Sequence, residues 1–160
     1  MKSLLLLALG AGASLACSPA MAAPARQFLG DAIRGDNSEM ALGAIAARRG
    51  ASSGVRDYGA RLHSDHQQAR VEAAAVARAL RVPVPSGMMP EATRERTRLQ
   101  RLSGPAFDRE FIRYMISDHR EDIGKFERQA HEGDRRTAAL AAAQLPTLRE
   151  HLRIAEGLAR

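Results

Sequence analysis

Residues 82–104, VPVPSGMMPEATRERTRLQRLSG, decide how the rest of this chain is arranged. Three prolines fall among the first nine positions, and each removes a backbone donor that a continuous helix needs. The stretch continues through arginine-rich residues that can form a short helix, and it ends at a Gly104-Pro105 pair. It therefore predicts a long connection between two helical regions.

Four long segments with helical spacing of apolar residues flank this connection, and proline and glycine residues lie between them. We predict helices over residues 25–49, 54–81, 105–132 and 135–158. No stretch of alternating β-branched residues indicates a strand, so the expected fold class is all-α.

The other two connections are short: GASSG at 50–54 and EGD at 132–134. Short loops force the helices they join to lie antiparallel. The link over 82–104 is long enough to follow a helix of this size over its length of roughly 40 Å. Two antiparallel hairpins joined by one long crossover are typical of a ferritin-like four-helix bundle, which we expect as a single domain over 23–160.

Residues 1–22 have the features of an export signal: one lysine, an apolar run and small residues at Ala20 and Ala22. We expect cleavage before Ala23 and a periplasmic or outer-membrane-associated product. A lipoprotein anchored through Cys17 is the less favoured alternative, because the leucine usual three places upstream is absent. Cleavage removes the only cysteine, so the mature chain can form no disulfide.

The chain is basic, with a formal net charge of +6, and almost all of its cations are arginine. In an exported protein this favours anionic envelope surfaces over nucleic acid as partners. Most charges recur at helical spacings, as solvated helix faces do. The crossover arginines are the alternative: they can form a surface for an envelope protein or anionic lipid. They are Arg94, Arg96, Arg98 and Arg101.

Each long segment carries one potential ligand inside a stripe of three-and-four spacing. In the last segment this stripe contains Leu140, Gln144, Thr147, His151, Ile154 and Leu158. The four potential ligands are Glu39, His66, His119 and His151. Counted from the two short turns, they lie at similar heights, so their side chains can meet in the middle of the bundle. The tetrapeptides SDHQ at 64–67 and SDHR at 117–120 thus occupy equivalent places in the two hairpins.

A buried carboxylate needs a cation or a proton, and three imidazoles beside it suit zinc, iron, copper or manganese. Nearby Asp65, Asp118 and Asp122 can add a ligand or orient an imidazole. The alternative is a buried hydrogen-bonded pair that fixes helix register without metal. His63 is a spare ligand at most, and His131 is expected in solvent.

Several short motifs resemble the bacterial family called domain of unknown function 4142, often labelled predicted outer-membrane protein. They are FLGDA at 28–32, Glu39, DH at 65–66, FDREF at 107–111, His119 and LPTLREH at 145–151. The resemblance covers nearly all of the mature chain and implies an exported ferritin-like domain. It also implies that the four stripe residues match recurrent polar positions of the family, and it adds little about activity.

The chain departs from di-iron members of the wider ferritin-like group, which carry Glu-x-x-His pairs on two helices. Three residues before the stripe histidines stand His63, Ile116 and Leu148, none of them acidic. A carboxylate-bridged di-iron centre is therefore not expected. Pro146 is expected to kink or restart the fourth helix.

The sequence supports two functions. The first is a periplasmic transition-metal-binding module linked to metal handling or stress; the second is a metal-free module that binds an envelope protein or lipid. Haem held by two histidines without covalent bonds is a distant third, and we expect no haem. Covalent haem is excluded, because the Cys-x-x-Cys-His motif of covalent attachment is absent. Phosphate-binding, hydrolase-elbow and zinc-protease motifs are absent too, so we predict no enzymatic activity.

Overall fold

The computed structural model describes residues 23–160, and the proposed signal peptide with Cys17 lies outside this range. The described residues form helices and connections and include no strand, which confirms the all-α prediction. The helices are α1 (Ala23–Arg49), α2 (Ser53–Ala79), α3 (Pro90–Gln100), α4 (Gly104–Glu132) and α5 (Arg135–Leu158). None of them is long and apolar enough to cross a membrane.

Local sequence sets the bounds of the helices. The Ser52 side chain accepts the Val55 N–H at the start of α2, and Asp134 accepts the N–H groups of Arg136 and Thr137 at the start of α5. The second helix ends slightly before the predicted residue 81, because Arg81 takes a left-handed φ of 57°. The Val82 N–H then bonds to the Ala77 carbonyl and turns the chain into the crossover.

The crossover follows α1 along its length. Near one end, the Asn37 side chain donates to the carbonyls of Pro85 and Gly87. Near the other, the Arg49 guanidinium donates to the carbonyl of Leu102 at 2.8 Å. The short helix α3 lies between these contacts, where the sequence allows one. The crossover therefore returns the chain to the end of the bundle where α2 began.

The start of α4 is fixed beside the first turn. The Asp108 carboxylate accepts the N–H groups of Ala51 and Ser52, both at 2.8 Å. At the opposite end of the bundle, Phe28 of α1 stacks edge-on against Phe126 of α4, with ring centroids 5.1 Å apart. Helices α2 and α4 consequently run parallel, as the ferritin-like connectivity requires, and that predicted fold class is confirmed.

Two apolar regions fill the ends of the bundle and leave a polar layer between them. One contains Tyr58, Phe107, Phe111 and Met115. The other consists of two smaller clusters of packed side chains, one around Leu29, Ile33 and Leu140 and one around Leu145. The four polar stripe residues lie between these regions, so they are shielded from water on both sides.

A glycine pair lets α1 and α2 approach closely next to this layer. A Cβ atom on Gly59 would lie 2.7 Å from the Gly43 carbonyl oxygen, and one on Gly43 would lie equally close to the Gly59 carbonyl. Only residues without a Cβ fit such a contact. The contact sets the distance between Glu39 and His66, which lie about one and two turns away along their helices.

The expectation that Pro146 restarts the last helix is wrong, because α5 runs through it without interruption. Pro146 removes the donor for the carbonyl of Ala142, and both residues are exposed, so water can satisfy that oxygen. The predicted apolar stripe of this helix is also partly wrong. Thr147 faces solvent, whereas the adjacent Leu148 is buried.

Candidate metal centre

Four long helices each contribute one side chain to a buried cluster at the middle of the bundle. Glu39 comes from α1, His66 from α2, His119 from α4 and His151 from α5. One potential ligand atom from each lies within 4.8 Å of the corresponding atoms of the others. All four residues are almost inaccessible to solvent, with exposures of 0–5%. The structure thus brings together the set that the sequence indicates.

The carboxylate of Glu39 lies at the centre of this cluster. Its Oε2 is 2.9 Å from Nε2 of His66 and 3.4 Å from Nε2 of His119. The His151 ring closes the other side, with its centroid 5.3 Å from each of the other two imidazole centroids. The three imidazoles therefore surround one carboxylate.

Each imidazole is held by a partner on its outer nitrogen. Nδ1 of His66 lies 2.9 Å from the Asp36 carboxylate, and Nδ1 of His119 lies 3.0 Å from the carbonyl of Met115. Nε2 of His151 lies 2.9 Å from the Asp65 carboxylate. A carboxylate or carbonyl oxygen only accepts, so each outer nitrogen carries the proton in the neutral imidazole. The inner nitrogens then present lone pairs to the cluster.

These inner atoms have no hydrogen-bond partner. They are Nε2 of His66, Nε2 of His119, Nδ1 of His151 and both carboxylate oxygens of Glu39. Buried polar atoms are normally paired, because leaving one unsatisfied costs about 1–3 kcal/mol. The lone pairs of three imidazole nitrogens and one carboxylate converge on the same point, where a cation would satisfy them.

The surroundings of the cluster favour a negatively charged Glu39, a neutral His151 and a protonated His66. Burial alone would raise the pKa of Glu39, but His119 and His66 outweigh it and hold that pKa far below its usual range. Burial lowers the pKa of His151 to about 4, so this imidazole is neutral at neutral pH. Burial opposes protonation of His66 as well, yet the Glu39 carboxylate raises its pKa well above 6.5. In the metal-free protein, a proton on His66 thus supplies the positive charge.

The donor set fits a transition metal ion. Three imidazole nitrogens and one carboxylate oxygen match the ligands that zinc, iron, copper and manganese accept in proteins, and four such ligands complete a tetrahedral shell. The outer partners have the role of carboxylates that orient metal-bound histidines. The cluster of Glu39, His66, His119 and His151 can therefore bind a transition metal.

Some of the neighbouring polar residues orient an imidazole of the cluster, and others make contacts elsewhere. Asp65 contacts His151, which is the orienting role that the sequence predicts for it. Asp36 was missed by the sequence argument, although its place three residues before Glu39 puts both on one side of α1. Burial raises the pKa of Asp36 to about 6, an effect that its bond to His66 reduces. His63 instead contacts the carbonyl of Met40, and His131 is exposed.

The crossover arginines share their surface with carboxylates. The Arg98 guanidinium lies 2.8 Å from a carboxylate oxygen of Glu110, and Arg94 and Arg98 line the same hollow as Glu91 and Glu95. The other two lie elsewhere on the crossover: Arg96 is close to the Met88 sulfur, and Arg101 is exposed. The face is therefore mixed in charge.

Comparisons with known proteins agree with this architecture. The crystal structure of a DUF305 fragment from Deinococcus radiodurans is similar to it, with a TM-score of 0.77 and 19% sequence identity. The similarity covers 88% of this chain and 98% of that fragment, and at this identity it bears on the fold alone. None of the curated proteins compared with the chain matches it.

A family profile described as Domain of unknown function (DUF4142) matches residues 11–158, which is nearly the whole chain. This match confirms the resemblance drawn from the short motifs. The protein belongs to the DUF4142 family.

Proposed function

We propose that this protein is an exported module that binds one transition metal ion between Glu39, His66, His119 and His151, and that it acts in metal handling or the response to metal stress. One observation carries the proposal. The inner nitrogens of three oriented imidazoles and both oxygens of a carboxylate are buried, lie close together and have no hydrogen-bond partner. An ion there would satisfy the three nitrogens and one of the carboxylate oxygens at once.

In a metal-free bundle whose helix register is fixed by buried histidines, we would expect fewer unpaired inner polar atoms. Its polar atoms would pair with one another, since a buried network that is only partly satisfied destabilises the fold. Here the satisfied nitrogens point outward, to Asp36, the Met115 carbonyl and Asp65, and the unsatisfied ones point inward. Orientation of this kind supports a ligand at the centre.

The export part of the proposal rests on residues 1–22, whose composition is that of a cleaved signal peptide. Cell fractionation and the intact mass of the mature protein test it. A mass that begins at Ala23 in the periplasmic fraction is expected. A chain that retains Met1, or that carries lipid on Cys17, would contradict the cleavage site.

The metal part is tested by the metal content of the untagged, exported protein, measured by mass spectrometry. The variant His66→Ala/His119→Ala removes two inner ligands. The control His63→Ala/His131→Ala removes two histidines outside the cluster. We expect about one ion per chain in the wild type and in the control, and loss of that ion in the cluster variant.

Two results would overturn the metal proposal. One is a wild type that is isolated without metal and takes up none of zinc, iron, copper or manganese when these are offered. The other is equal metal content in the cluster variant and the control, which would place the ion elsewhere.

A further inference from the structure

Glu39 also belongs to a second cluster, on the side of the bundle where α1 faces α4. Asp118 and Asp122 lie one turn apart on α4, and one oxygen from each lies within 4.8 Å of the other and of a Glu39 oxygen. Like charges this close repel one another strongly. Three carboxylates at one point therefore need positive charge or protons.

Among the described residues, one ammonium group lies close to these carboxylates. Lys125 places Nζ 3.1 Å from Asp122 Oδ1, but it also binds Glu121 at 2.9 Å and is 37% exposed. Glu39 itself is 1% exposed, and neither of its oxygens has a hydrogen-bond partner. Of the three carboxylates, the Lys125 ammonium group lies within 4 Å of Asp122 alone.

A cleft connects this cluster with solvent. It has a volume of about 580 Å3 and is lined by Gly35, Tyr114, Asp118, Asp122 and Lys125. An ion can reach the carboxylates through the cleft without passing the three histidines.

We propose that Glu39, Asp118 and Asp122 form a second cation subsite, and that Glu39 bridges it to the histidine site. The inference rests on the proposed function, because the bridge requires an ion at the histidines. Oε2 of Glu39 lies 2.9 Å from Nε2 of His66 and 3.4 Å from Nε2 of His119, so a bridging Glu39 would bind the second ion through Oε1. The subsite offers only carboxylate oxygens, which hard divalent cations such as manganese, magnesium and calcium prefer.

The two subsites differ in chemistry, and this difference makes them separable by experiment. A nitrogen-rich site holds zinc more tightly than manganese, according to the usual order of divalent affinities. Zinc supplied at one equivalent should therefore fill the histidine site, and manganese added afterwards should bind at the carboxylates. The bound fraction of manganese can be followed by its electron paramagnetic resonance signal.

The decisive variant is Asp118→Asn/Asp122→Asn, measured with one equivalent of zinc and increasing manganese. We expect its zinc content to equal that of the wild type, which also shows that the bundle is folded, and its manganese affinity to fall roughly 10-fold or more. The control Asp57→Asn/Glu72→Gln removes the same charge from exposed positions of α2 and should leave manganese affinity unchanged. In Lys125→Gln the competing ammonium is absent, so manganese should bind more tightly.

Failure of this inference is distinct from failure of the proposed function. A wild type that binds zinc but no manganese, or an Asp118→Asn/Asp122→Asn variant with unchanged manganese affinity, overturns the second subsite only. An equal loss in the two charge-matched variants does the same, since it reports general electrostatics. A wild type that takes up neither ion overturns both proposals.

Discussion

His66 and Glu39 hold Nε2 and Oε2 2.9 Å apart at the centre of the bundle. The pair comes from adjacent antiparallel helices, which approach closely where Gly43 and Gly59 face each other. A proton can occupy the space between the two atoms, or a metal ion can take its place. Predictions about binding and about stability follow from this relationship.

Zinc should stabilise the wild type and should not stabilise a variant that lacks an inner ligand. A ligand that binds only the native state adds about 2.7 kcal/mol to the free energy of unfolding at 100 times its dissociation constant. We therefore expect zinc to raise the melting temperature of the wild type, and to leave that of His119→Ala nearly unchanged. Circular dichroism melts with and without zinc measure this. Equal shifts in the two proteins would show that zinc acts elsewhere.

Zinc affinity should rise with pH, because the ion must displace the proton that Glu39 holds on His66. Below the raised pKa of His66 this gives about a tenfold gain in affinity per pH unit. The pKa of His151 is already lowered to about 4, so this imidazole adds no proton near neutral pH. Calorimetric titrations with one equivalent of zinc at several pH values measure the slope. A slope of zero would contradict the displaced proton.

The same protonated pair affects the metal-free protein with the opposite sign. The pKa of His66 is raised above its ordinary 6.5, so the native state holds this proton more tightly than the unfolded chain does. The resulting stabilisation is complete below pH 6.5 and is lost as the pH rises through the raised pKa. Urea unfolding of the metal-free wild type and of His66→Ala should show a stability difference that shrinks with increasing pH. A difference that grows would refute the assignment.

Removal of an orienting carboxylate should weaken metal binding while the fold is kept. Asp65 holds the outer nitrogen of His151, and loss of such a partner typically costs 10- to 100-fold in metal affinity. We expect Asp65→Ala to show this loss in zinc titrations. Asp57→Ala removes an exposed carboxylate from the same helix and should have no effect. Matching affinities for the two variants would mean that Asp65 does not orient the ligand.

The glycine contact between α1 and α2 should tolerate no side chain. Gly59→Ala would place Cβ 2.7 Å from the Ala47 nitrogen and from the Gly43 carbonyl oxygen, so the two helices must move apart. Strain of this kind typically costs about 1–3 kcal/mol. Gly157→Ala is the control, since nothing lies within 4 Å of its added Cβ, and alanine there should be neutral or stabilising. Chemical unfolding distinguishes the two, and similar stabilities would disprove the close contact.

The hydroxyl of Tyr58 should contribute little to stability. It is buried without a hydrogen-bond partner, while the ring packs against Phe111 with centroids 6.0 Å apart. Removing an unpaired hydroxyl relieves its desolvation cost, so we expect Tyr58→Phe to change the unfolding free energy by less than about 1 kcal/mol or to increase it. Tyr58→Ala, which removes the ring, should cost about 3–5 kcal/mol. A large loss in Tyr58→Phe would indicate a bound partner for the hydroxyl.

Much of the candidate site could be found from spacing alone. Each long helix has a stripe of mainly apolar residues three and four apart, and an ionisable residue within such a stripe is expected in the core. Glu39, His66, His119 and His151 stand out by this rule, and all four are buried. Asp36 was missed, although it lies three residues before Glu39 on the same side of α1 and the same spacing could have included it.

The sequence by itself determined the helices, their antiparallel pairing and the long crossover, because periodicity, capping residues and the prolines at 83, 85 and 90 act locally. Only the tertiary structure decided which ring nitrogens face inward, that α5 passes through Pro146, and that Glu39 also meets Asp118 and Asp122. These features depend on the rotation of each helix about its axis and on side-chain contacts between helices. Both are set by packing of the whole bundle, which no local pattern encodes.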